Sequence, residues 1–249
     1  SFLLFVSKNL KTVQTIVTIT LFCFSVATAK ETFFSALESK AEVEKEGGTV
    51  DGGSFAPGKF GNGFVSEEVG DVIHFPVEDR FVNLDEGTVE LWVTMGMDAN
   101  TITGELFVFM TYKRGTDAVF LQFDNGGKAR MRIKSAGKWI NADSAPLNWK
   151  KGEHHHMAGT WGPDGLKLYL NGKLEAENGS KEGPKVFAET FEINNASPPD
   201  PKFPTNCVVD GLRISDHQKE VGELVLDDPA PVQPLGKLAT TWGQLKTVK

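Results

Sequence analysis

Two aspartates and three consecutive histidines are the residues whose types and spacing suggest chemistry in this 249-residue chain. Asp71 stands two and four positions before Ile73 and Phe75, and Asp210 stands likewise before Leu212 and Ile214. Side chains at i, i+2 and i+4 share one face of a strand, so both carboxylates are expected on the core side of their strands. A carboxylate there is costly unless it is hydrogen-bonded, paired or metal-bound. Backbone N–H groups, a guanidinium such as Arg213 or Arg80, and a bound cation are the alternatives. His154-His155-His156 raises zinc, but a strand sends His154 and His156 to one face and His155 to the other. At most two can then share an ion, and tetrahedral zinc usually takes three or four ligands. Zinc is not expected.

A second chemistry is recognition. Trp139, in Gly137-Lys-Trp-Ile-Asn-Ala-Asp143, sits among polar residues and is the best candidate for an exposed aromatic platform. Tyr112, before Lys113-Arg114-Gly115, is the next. Asn141, Asp143 and Arg132 are placed to supply hydrogen bonds to sugar hydroxyls. The competing reading for each aromatic is edge packing on a sheet. Nucleophile elbow, H-E-x-x-H and phosphate-loop motifs are all missing. No catalytic residue is assigned, and an enzyme is not expected.

These residues need strands to hold them. The stretch 153–173 encodes strands joined by tight turns. Pro163-Asp164-Gly165 is a turn in which proline presets φ and glycine accepts φ > 0. Asn171-Gly172 is a type I′ hairpin signal, and Leu166, Leu168 and Leu170 alternate with polar partners. Further strands are expected at 71–75, 88–95, 106–112, 119–124, 129–134, 154–161, 187–193 and 208–214. Short strands between Gly, Asn and Pro turns indicate an all-β, two-sheet antiparallel sandwich.

The wording of these segments resembles the laminin-G-like, concanavalin A-like jelly-roll family. His154 to Lys173 is similar to the family's "W-H-H-V-A-G-T-W-D-G-D-G-L-K-L-Y-V-N-G-K", with His154 in place of the first Trp. Gly58-Lys-Phe-Gly-Asn-Gly-Phe64 resembles "G-K-F-G-x-A-L", Gly70-Asp-Val-Ile-His-Phe-Pro76 resembles "G-D-Y-V-x-V-P", Gly87-Thr-Val-Glu-Leu-Trp-Val93 resembles "F-T-V-E-A-W-V", and Val209-Asp-Gly-Leu-Arg-Ile214 resembles "I-D-E-V-R-I". The likeness runs from Gly58 to Lys219. It implies two packed antiparallel sheets, with Trp92, Trp149 and Trp161 in the core. It further implies a structural Ca²⁺ held by Asp71 and Asp210, with Asp51 a third ligand and carbonyls or water completing six to eight oxygens. The glucanases of this fold set two carboxylates on one strand as "E-x-D-x-E". Asp85, Glu86 and Glu90 come nearest and break that alternation, so glycosidase activity is not expected.

The ends and the charge frame the function. Lys8 and Lys11, the apolar run 12–26 and Ala27-Thr28-Ala29 read as a signal peptide cut after residue 29, with an uncleaved anchor as the alternative. Ser1 in place of Met reads as a truncated frame. Residues 30–48 form a lead-in, 49–226 the jelly roll, and 227–249 a Pro-rich linker and a tail carrying Trp242. Removal of the leader takes Cys23 with it, leaving Cys207 as a small core residue. Asn178-Gly-Ser180 and Asn195-Ala-Ser197 match glycosylation sequons, which matter only in a eukaryotic host. A net charge of −7 argues against a nucleic-acid partner. The expectation is a secreted, non-catalytic module, with no membrane span after cleavage, that recognises carbohydrate or a glycosylated surface. The alternative is a protein-interaction or adhesion module acting through the tail.

Overall fold

A computed structural model describes residues 30–81, 83–111, 115–195 and 205–227. The short elements come first: β1 Glu31–Ser35, α1 Lys40–Lys45, β2 Thr49–Asp51, β3 Ser54–Pro57, β4 Asn62–Val65 and β5 Val72–Pro76. Longer strands follow as β6 Gly87–Thr94, β7 Leu106–Thr111, β8 Ala118–Asp124, β9 Lys128–Ser135 and β10 Lys138–Pro146. The last are β11 His154–Trp161, β12 Leu166–Leu170, β13 Lys173–Asn178, β14 Thr190–Asn195 and β15 Val208–Ser215. Ser39 caps α1, its side chain accepting from the Glu42 N–H.

The strands form two antiparallel sheets. Sheet A runs β13-β12-β11-β6-β15-β4-β3, with β1 on the same edge of β15 beyond the point where β4 leaves it. Sheet B runs β10-β9-β8-β7-β14-β5-β2. Alternate residues of both sheets meet in one core, with Val89, Leu91, Val93, Met157 and Leu168 on one side and Phe75, Leu121, Met131 and Phe191 on the other. Gly159 of β11 allows this approach, because a Cβ there would lie 2.2 Å from Met131 Sδ. The sheets are also joined by a buried amide. Asn194 of β14 donates to the carbonyls of Phe64 and Cys207, both at 2.9 Å, and accepts from Thr205 Oγ1. Cys207 is buried in the core, and burial pushes its thiol up to about 11.

Sequence turns are recovered in detail. Asn171 and Gly172 have φ of 50° and 71°, the pair of positive values a type I′ turn needs. The lead-in is woven into the fold, since β1 pairs with β15. No helix among the described residues is long and apolar enough to cross a membrane. The leader, Tyr112 and the C-terminal tail lie outside the described residues.

Two expectations of facing are corrected. Asp210 does not share a face with Leu212: the β15–β6 register shifts between Asp210 and Arg213, and Gly211 has a φ of 60°. That bulge reverses the parity, so Asp210 pairs with Trp92 on the outer side of sheet A while Leu212 enters the core. Trp92 also faces outward. It meets Phe60 and His156, each ring centroid 5.5 Å away. Trp149 and Trp161 do lie in the core.

Candidate saccharide site

The outer face of sheet B gathers the polar candidates. Pairing of β9 with β10 sets Trp139 opposite Lys134, Asn141 opposite Arg132 and Asp143 opposite Arg130. The period of two then puts all six on one face. Trp139 is 48% exposed, its ring centroid 5.5 Å from that of Phe120 on β8. Arg132 Cζ lies 5.2 Å and Lys134 Nζ 5.6 Å from the indole centroid, within cation–π reach.

The polar groups are fixed before any ligand arrives. Arg132 Nε donates to Asn141 Oδ1 at 3.0 Å and its Nη1 to Glu105 Oε1 at 2.9 Å. Arg130 pairs with Asp143 and, through Nη2, with Asp124 Oδ2 at 2.6 Å. Burial lowers the Arg130 pKa, but the Asp143, Asp124 and Glu105 carboxylates outweigh it and raise the group above its usual value. Gln122 Nε2 donates to Glu105 Oε1 at 3.3 Å. A half-exposed indole beside locked planar donors and acceptors can stack on the C–H face of a sugar ring and hydrogen-bond its hydroxyls.

Of the sequence candidates, Trp139, Asn141, Asp143 and Arg132 are brought together, and Tyr112 lies outside the described residues. Arg130 was readable from its parity with Arg132. Glu105 was not, because it reaches the site from the loop before β7.

The three aspartates proposed for calcium are not brought together, and among the described residues no three His, Cys, Asp or Glu side chains gather as a metal group. Asp71 Oδ2 accepts the N–H groups of Glu67 and Glu68 at 2.9 and 2.8 Å, capping the turn before β5. Asp51 is exposed and lies 3.5 Å from His74 Nε2. Asp210 sits under the 58–61 loop, accepting from the Phe60 N–H at 2.9 Å. Gly58 allows the loop to close there, since a Cβ would lie 2.2 Å from Asp210 Oδ2. Asp210 Oδ1 has no hydrogen-bond partner among the described residues. Burial raises this carboxyl to about 6 against the pull of the Phe60 and Lys59 amides. The trio therefore does not fit one ion, and backbone N–H groups satisfy Asp71 and half of Asp210.

The histidines divide their work. His154 Nδ1 meets Thr94 Oγ1 at 2.7 Å, and His155 stacks on Trp149 at 3.7 Å. His156 Nε2 meets Glu90 Oε2 at 3.1 Å in a fully buried cluster on the outer face of sheet A. Lys219 Nζ pairs with Glu90 Oε1, and the Val225 N–H donates to Oε2 at 2.9 Å. Burial would push the Glu90 carboxyl up, but His156 and Lys219 overcome it and hold the group at about 2. Leu224, in the 216–227 segment that straps this face, packs on Ala158 of β11 and Tyr169 of β12. This face is roofed by its own chain.

A family profile described as "Concanavalin A-like lectin/glucanases superfamily", Laminin_G_3, matches residues 68–224. The chain belongs to this family. Its laminin-G-like fold is shared with domain 4 of an extracellular arabinanase from Geobacillus stearothermophilus, solved in complex with arabinotriose. That likeness has a TM-score of 0.60 at 20% identity and covers 78% of this chain and 96% of the other. The receptor-binding domain of botulinum neurotoxin mosaic serotype C/D gives 0.58 at 13%, over 78% of this chain and 49% of that one. Trypanosoma rangeli sialidase gives 0.51 at 16%, over 70% and 28%. No curated protein sequence matches significantly. At these identities the structural likenesses establish the fold alone.

Proposed function

We propose that this laminin-G-like domain is a secreted, non-catalytic module that binds carbohydrate or a glycosylated surface on the outer face of sheet B. The observation that carries the reading is Trp139, half exposed on a face whose other groups are locked in arginine–carboxylate and arginine–amide pairs. Trp139 supplies the stacking platform, and Arg132, Asn141 and Asp143 supply hydrogen-bonding edges. Support comes from the solved arabinanase domain, whose ligand is arabinotriose, and from a botulinum neurotoxin binding domain solved with SialylT. Export is supported by the leader-like residues 1–29.

The test is a glycan array probed with the purified protein and with Trp139→Ala. Retention of a related set of glycans by the parent and its loss in the variant supports the reading. A blank array for the parent removes it. Turnover of any oligosaccharide in a parallel panel would remove the non-catalytic part.

A further inference from the structure

Asp216 follows β15 directly and is tied to residue 30 by two hydrogen bonds. The Lys30 backbone nitrogen donates to Asp216 Oδ1 at 2.9 Å, and the Asp216 N–H donates to the Lys30 carbonyl at 3.0 Å. From this point β1 runs along β15, with Glu31 opposite Ser215 and Phe34 opposite Arg213. Other charges face the same corner. His217 Nδ1 lies 3.3 Å from Asp216 Oδ1, and His217 Nε2 lies 3.7 Å from Glu223. Glu31 pairs with Arg213 one step along the ladder, and Lys30 carries its own ammonium. In sequence, Lys30 is the residue after the small-residue run Ala27-Thr28-Ala29.

A backbone amide on a carboxylate makes one charge-assisted hydrogen bond. A free α-amino group at the same place, protonated below its ordinary pKa of about 7.7–8.0, offers three donors and a full charge. We infer that the chain is hydrolysed at the Ala29–Lys30 peptide bond, and that the α-ammonium so created on Lys30 seats on the Asp216 carboxylate and closes the β1–β15 ladder. The step consumes one water and an export signal peptidase supplies the catalysis. Ala29 leaves with the new carboxylate, and the Lys30 amine takes up a proton. The inference rests on the export half of the proposed function and is independent of saccharide binding.

Position is decisive. Strand residues advance about 3.3 Å each, so cleavage one bond earlier or later would carry the charge away from Asp216.

The experiment expresses the full chain in an exporting bacterial host and reads the intact mass and N-terminal sequence of the product. The α-amine is then titrated by pH-dependent acetylation with acetic anhydride. Mass spectrometry of the N-terminal peptide separates the α-amine from the ε-amine of Lys30. The expected product starts at Lys30. Its α-amine titrates roughly half a unit or more above the ordinary 7.7–8.0 range, and Asp216→Asn returns it to that range. Asp216→Asn keeps an acceptor for the amine and is checked for native circular dichroism. A retained leader, a different first residue, or an α-amine that titrates alike in parent and variant would overturn the inference.

Discussion

On the outer face of sheet A, Glu90 and Asp210 lie buried beneath the 216–227 strap and the 58–61 loop, whereas on the outer face of sheet B the half-buried arginines of β9 pair with neighbouring carboxylates beside a half-exposed Trp139. Both faces carry carboxylates and aromatic rings. They differ in what satisfies them. The first face spends its polar groups on its own chain, with Glu90 taking Lys219, His156 and the Val225 amide. The second pairs its side chains with one another and leaves the indole half exposed among the described residues. Substitutions on sheet A should therefore be felt in stability, and those on sheet B in binding.

The largest effect is expected at Glu90. Glu90→Gln leaves the Lys219 ammonium buried without its counter-charge, a change that typically costs about 3–5 kcal/mol. Urea denaturation should show this as a lower midpoint with an unchanged slope. The pH sign follows from the depressed carboxyl. Its stabilising contribution is present above the unfolded value near 4.5 and lost as pH falls toward about 2. Glu90→Gln should lack that acid limb, and an unchanged limb would show that the pairing contributes nothing.

Asp210 should behave in the opposite sense. Its folded carboxyl is raised from 3.8 to about 6, so the folded state holds the proton more tightly than the unfolded chain. The group's contribution is greatest below about 4 and declines as pH rises through 6. Asp210→Asn removes the buried charge and is expected to gain on the order of 2 kcal/mol at neutral pH. A loss of stability on this substitution, matched by a lower melting temperature of the parent in chelator, would instead point to a cation at Asp210.

Smaller still are the expected stability changes on sheet B. Arg132→Ala removes one partner each from Asn141 and Glu105, which keeps Gln122 and Arg130, and should cost no more than about 1 kcal/mol. Trp139→Ala loses edge contacts with Phe120 and should likewise stay within about 1 kcal/mol. Both should weaken saccharide retention. A stability loss at Trp139 as large as that at Glu90 would erase the contrast between the two faces.

The 154–171 hairpin was readable in the sequence because its turn chemistry and its leucine alternation agree. The β10 strand was harder: Trp139, Asn141 and Asp143 alternate with Ile140 and Ala142, yet flanking Gly and polar residues resemble a loop. The outward facing of Trp92 was present in its parity with Glu90. The facing of Asp210 was hidden by one residue, Gly211, whose bulge resets the alternation. The burial of Glu90 was not legible, because its roof comes from Lys219 and Val225, far along the chain. Short strands β1 to β4 carry too few residues for periodicity to register, and tertiary pairing defines them.

Saccharide binding at Trp139 is tested by a glycan array read side by side for the parent and Trp139→Ala, with both proteins checked for a similar melting temperature. The parent is expected to retain a family of related glycans, and the variant to bind them roughly tenfold or more weakly. Equal retention by the two proteins, or no retention by the parent, would contradict it.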